Sequence, residues 1–195
     1  MPTCAFTGHI AGLGTTSGTR IVVGMWDESP FGPVADAMVE DRSGHRTLVA
    51  PTAELAEFIA ATYSFDEVLV EAVERRGWRV RSEHLDVRFE VGGPTFVGRL
   101  LPLVPRRVGR TLGWARAVDP VVRLVMPGVR THGTAGGGRI EWYSARGVRR
   151  IKELSATWHG APLGALAPVS PPVRFGFASA PRTPSLTRLT SYVRT

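Results

Sequence analysis

The chain has 195 residues, 43% of them hydrophobic and 21% charged, with a formal net charge of +7; this is ordinary globular composition, neither disordered nor fibrous, and long enough for one domain with a substantial core. Its single cysteine, Cys4, excludes an internal disulfide and a thiolate metal cage and reads as a small packing residue. Apolar runs are interrupted by Arg, Gly or Pro before the roughly 18 residues that a spanning helix needs, and "MPTCAF" has neither a basic n-region nor an apolar h-region, so a cytoplasmic protein is expected.

In chain order, residues 4–10 and 19–26 ("TRIVVGMW") read as strands joined by the Gly- and Ser-rich loop "AGLGTTSG". "VADAMVE" and "HRTLVA" form a hairpin pair around "DRSG", which carries turn chemistry. "PTAELAEFIAATY" is the clearest helix, with Pro51 in its first turn and Leu55, Phe58, Ile59 and Thr62 at helical spacing. In "HLDVRFEVG", Leu85, Val87, Phe89 and Val91 alternate with Asp86, Arg88 and Glu90, the signature of a half-buried strand. Residues 96–127 lose that alternation and read as a helical insertion of two or three short helices, with Asp119 as N-cap and Pro120 at the first helical position. Beyond Gly128, "RIEWYS", "GVRRIKELSATW", "PPVRFGFAS" and "SLTRLTSYVR" read as strands.

About ten short strands, one amphipathic helix and the insertion at about 96–127 predict an α+β domain over residues 1–195. A curved antiparallel sheet, half-closed like a barrel, is the expected architecture, with a two-sheet β-sandwich as the alternative.

Charge is divided along the chain. Residues 1–98 carry eight arginines against 14 acids, whereas residues 99–195 carry 15 arginines and Lys152 against Asp119, Glu141 and Glu153. The basic half either packs against the acidic one or attracts nucleic acid or an anionic membrane surface. Trp114, Trp142, Tyr143 and Trp158 are interspersed with the arginines, but no nucleic-acid motif groups them. In 99–127 the basic and apolar residues are cut by prolines into short pieces.

No catalytic motif is complete. Gly136-Gly137-Gly138 has no Walker pattern and leads into the alternating "RIEWY", so it reads as a hairpin loop. On that strand Arg139, Glu141 and Tyr143 share one face, and Arg130 and His132 precede it. These five are the candidate ligand-binding residues, with Ile140 and Trp142 packing on the opposite face and an arginine partner expected for Glu141. The five histidines show no metal-ligand spacing, and neither a metal nor a cofactor is expected. Lys152, after Arg149 and Arg150, has the cationic crowding that lowers a lysine pKa for Schiff-base chemistry, although adjacent Glu153 opposes this. Acetoacetate decarboxylase uses such a lysine on a barrel-like fold, but its local motif is absent here.

Taken together, "SGTRIVVGMWDESPFGPVADAMVEDRSGHRTLVAPTAELAEFIAATYSFDEV", "GVRTHGTAGGGRIEWY" and "PPVRFGFASAPRTPS" resemble a family of uncharacterised proteins of high-GC actinobacteria. That resemblance implies one compact domain and no catalytic residues. The resulting expectation is a binding protein for a small, anionic and partly apolar ligand. The alternatives are a lyase or hydrolase using Glu141, His132 or Lys152, and a basic interaction surface for nucleic acid or lipid.

Overall fold

A computed structural model describes residues 2–195. Ten strands follow one another across a single curled sheet that forms a half-barrel. In chain order they begin with β1 (Thr3–Thr15), β2 (Arg20–Glu28), β3 (Val34–Glu40) and β4 (Arg46–Ala50). Helix α1 (Ala53–Ala60) leads to β5 (Glu67–Val70), β6 (Glu74–Arg76), β7 (Arg79–Arg81) and β8 (Leu85–Pro94). The insertion holds α2 (Phe96–Leu100), α3 (Arg106–Gly109) and α4 (Leu112–Val125). After it come β9 (His132–Thr134), β10 (Ile140–Trp158), the two-residue strands β11 (Ala161–Pro162) and β12 (Leu166–Ala167), and β13 (Ser185–Arg194). The order across the sheet is β5-β4-β3-β2-β1-β13-β10-β8-β7-β6. All pairs on this path are antiparallel except β4 with β5, which run parallel because α1 carries the chain back between them.

The sheet joins both halves of the chain. β1 pairs with β13 over ten residues, and β8 pairs with β10. The 19-residue β10 serves two neighbours, with its first half against β13 and its second against β8, and the register shifts between Ala145 and Gly147. Two expected strands are therefore one, bent at a bulge.

Period-two alternation divides the side chains into two layers. Ala11, Leu13, Ile21, Val23, Met25, Ala37 and Val39 are buried with Val80, Val87 and Phe89, which fill the inside of the half-barrel. The intervening residues of β1–β3 face the opposite side, where α1 and the insertion cover them.

Several boundaries differ from expectation for identifiable reasons. β1 continues through the glycines that read as a loop. A Cβ on Gly14 would lie 2.2 Å from Pro168 O and one on Gly12 2.5 Å from Ala180 Cβ, so these glycines are strand positions crossed closely by the 168–184 segment. Thr52, not Pro51, sets the start of α1: its side chain accepts from Leu55 N, and Pro51 lies outside the helix. Asp119 and Pro120 lie inside α4, whose N-cap is Thr111, accepting from Trp114 N. "PPVRFGFAS" is an irregular strap rather than a strand. Val173 and Phe175 bury their side chains, while Arg174 donates to Glu40, which also holds the buried Arg20 at 2.8 Å.

Candidate functional site

Between the outer face of the sheet and the insertion lies a cavity of about 320 Å³, lined mainly by apolar side chains. Its floor comes from alternate residues of β1, β2, β3, β10 and β13, and its roof from Val97, Leu101, Val104, Trp114, Val118 and Val122. The strap and the end of α1 close the sides. Concave, mostly apolar space with a few converging polar groups is the usual form of a small-molecule site.

The polar groups converge at Glu141, which is 1% exposed. Its Oε1 accepts from the Tyr63 hydroxyl at 2.6 Å and from the Ser191 hydroxyl at 2.8 Å. Its Oε2 is buried without a hydrogen-bond partner among the described residues. Burial pushes the Glu141 carboxyl above its ordinary pKa, against the hydrogen bonds of Tyr63 and Ser191 that favour the charge. The Tyr63 and Tyr143 phenols are pushed well above their usual value, first by burial and then by Glu141, so both stay neutral. Oε1 already accepts two hydrogen bonds, so when the carboxyl is protonated the proton belongs on Oε2.

A second acid lines the same cavity. Burial raises Asp36 from 3.8 to about 6, although Trp26 Nε1–H donates to its Oδ1 at 2.8 Å. Gly24, on the neighbouring strand, leaves room for this pair: a Cβ there would sit 2.5 Å from Asp36 Oδ1.

The candidate residues on and before β10 separate into three roles. Glu141 and Tyr143 line the cavity, as does Arg130 at its wall. Arg130, however, donates to Asp119, which also accepts from the amide and hydroxyl of Thr131. Burial raises the Asp119 carboxyl, but those hydrogen bonds and the Arg130 charge outweigh it and hold it below its ordinary value. This cluster ties α4 to the chain before β9. His132 is outside the cavity lining, with Nδ1 3.9 Å from Asp119 Oδ1. Arg139 also lies outside it, donating to Phe58 O and Thr62 Oγ1 and stacking over the Phe58 ring, which clamps α1 to β10. Glu141 therefore has no arginine partner among the described residues, because Arg139 reaches α1 instead. On the opposite face, buried Trp142 stacks on Tyr192 and donates through Nε1 to Arg110 O. The three glycines form a tight turn between β9 and β10, with Gly137 and Gly138 at φ 64° and 75°.

Sequence reasoning missed Tyr63, Ser191 and Asp36. An acid amid the apolar residues of "VADAMVE" was a readable signal for Asp36. Nothing local marked Tyr63 or Ser191. Lys152 is exposed and lies outside the cavity lining.

Two other features are less suited to a ligand. A depression over Trp78 and Phe89, about 570 Å³, is lined by Arg76, Arg79, Arg88 and Arg149. Three of these four already bond to Glu74, Asp86 or Gly92 O. Folding also gathers Glu71, Glu83 and His84, despite the absence of a metal-binding spacing, but His84 Nδ1 and Glu71 Oε2 already bond at 2.6 Å. No known protein family, curated protein or solved structure matches the chain.

Proposed function

We propose that the protein binds a small, mostly apolar molecule whose one polar group is an uncharged carbonyl or hydroxyl. The observation that carries this reading is Glu141 Oε2, a buried carboxyl oxygen without a hydrogen-bond partner among the described residues in a mostly apolar cavity, and a donor when the acid is protonated. Leaving such a group unpaired costs about 1–3 kcal/mol, and a ligand oxygen opposite it would recover that cost. The reading departs from the anionic ligand expected from composition. The cation at the wall, Arg130, is already paired with Asp119, and two acids with raised pKa disfavour a further negative charge. Of the three residues expected to serve an enzyme, only Glu141 lines the cavity; His132 and Lys152 do not. A cytoplasmic setting remains part of this proposal; no helix is long and apolar enough to cross a membrane.

The test compares medium-chain ketones, alcohols and alkanes of equal length by calorimetry. The ketone or alcohol should bind the wild type at least about tenfold more tightly than the alkane, corresponding to ~1.4 kcal/mol. Glu141→Leu should remove that preference while still binding the alkane. Equal binding of all three ligands to wild type and variant would remove Glu141 from the site.

A further inference from the structure

The insertion that roofs the cavity has two apolar faces, and the cavity uses one. Along α2 and the turn after it, Val97, Leu101 and Val104 point inward. Phe96, Leu100 and Leu103 repeat the same spacing one residue earlier and are 76%, 46% and 76% exposed. In α4, Trp114, Val118 and Val122 line the cavity, while Val121, Leu124 and Val125 lie outside, Leu124 at 84% exposure. A helix roofing a core ordinarily turns polar residues to water, so this outer stripe lacks a cover.

The same segment carries exposed charge. Arg99, Arg106, Arg107, Arg110, Arg116 and Arg123 are all exposed, and none forms an ion pair among the described residues. The only acid of the insertion, Asp119, is buried and held by Arg130 and Thr131. The acidic N-terminal half does not neutralise these arginines. Of the 15 arginines in residues 99–195, only Arg130 and Arg174 form ion pairs among the described residues.

We propose that this outer face docks on the surface of an anionic lipid bilayer. Phe96, Leu103 and Leu124 enter the headgroup layer, and the arginines of the same segment meet lipid phosphates. The chemistry selects this occupant. Nucleic acid would use the arginines but leave the apolar stripe in water. A second copy would set arginine against arginine across the interface, with no exposed acid of the insertion to compensate. Apolar anchors on a cationic segment match a surface that is anionic outside and apolar beneath. The proposal stands whatever the cavity binds.

The experiment sediments the full chain with vesicles of phosphatidylcholine alone and of phosphatidylcholine with phosphatidylglycerol, at low and high salt. The protein should partition onto the phosphatidylglycerol vesicles, leave the neutral ones in solution, and dissociate as salt screens the charge. Leu124→Asp and Phe96→Asp should each weaken partition by about tenfold or more. Arg106→Gln with Arg107→Gln should weaken it by roughly 25-fold, about fivefold per charge. All four side chains are exposed, so thermal melts should match the wild type. Arg150→Gln with Arg182→Gln removes the same charge outside the insertion and should have a much smaller effect. Equal loss in that control, salt-insensitive binding to neutral vesicles, or wild-type binding by both aspartate variants would overturn the proposal. So would absence of vesicle binding, including the case where light scattering shows a dimer that Leu124→Asp dissociates.

Discussion

Tyr63 and Glu141 lie 78 residues apart in the chain and meet at 2.6 Å, phenol to carboxyl, at the floor of an apolar cavity. That bond couples the end of α1 to the strand that crosses both halves of the sheet. Removing the phenol oxygen leaves Glu141 Oε1 with Ser191 alone. Tyr63→Phe should therefore destabilise the protein by about 1–3 kcal/mol without changing the fold, measured by urea unfolding with circular dichroism. A neutral result would mean that the carboxyl gains nothing from the phenol.

The cavity acids set a pH dependence. Burial raises Asp36 from 3.8 to about 6, so the folded state binds its proton more tightly than the unfolded chain. Its contribution is complete below the unfolded value and is lost as pH rises through the folded one. Over that window wild-type stability should fall by up to ~3 kcal/mol because of this group, at 1.36 kcal/mol per pH unit. Glu141 adds to the fall in the same direction. Asp119 has a lowered pKa and acts oppositely, withdrawing stability as pH falls. Asp36→Asn should flatten the decline between about pH 4 and pH 6, as read from urea melts across pH. An unchanged slope would show that Asp36 does not titrate there.

Trp142 packs on the face of β10 opposite Glu141, stacked on Tyr192 at 5.1 Å. Trp142→Ala should cost about 3–5 kcal/mol, the usual range for emptying a buried aromatic site. Glu141→Gln, on the other face, keeps shape and should leave melting near the wild type at low pH, where the acid is neutral. The two thermal melts separate packing from charge on adjacent residues.

Glu40 is fully buried and holds Arg20 and Arg174. Glu40→Ala would leave the buried Arg20 guanidinium without a counter-charge, held only by the Gly18 and Asp41 carbonyls, and free the strap, at a cost of about 3–5 kcal/mol. Chemical denaturation would measure it, and proteolysis within 168–184 should accelerate. A loss below ~1 kcal/mol would show that the Gly18 and Asp41 carbonyls suffice for the Arg20 charge.

The two halves of the chain should unfold as one unit, because β1 pairs with β13 and β8 with β10. Fragments 1–98 and 99–195 should each lack a cooperative melt in calorimetry. Independent transitions would divide the domain.

Residues 85–91 could be read as a strand from the sequence alone, because alternation of apolar and polar side chains reports directly on a half-buried sheet, and 34–40 could be read from the turn chemistry of the hairpin that follows it. The same period placed Glu141 and Tyr143 opposite Trp142 and identified the glycines before them as a turn. Elements defined by distant neighbours could not be read this way. Gly12 and Gly14 resembled a loop because the chain segment that crosses them comes more than 150 residues later. Asp119 resembled an N-cap because its partners, Arg130 and Thr131, lie beyond the end of its helix. Arg139 shares a face with Glu141 on paper, yet the helix end that accepts its guanidinium draws it away. Local periodicity determined which residues form strands and which side of β10 each residue occupies, because pleat geometry acts over two residues. Only the tertiary structure decided that Glu141 meets Tyr63 and Ser191 rather than an arginine, because hydrogen-bond partners in a cavity are set by which distant strands the curl brings together.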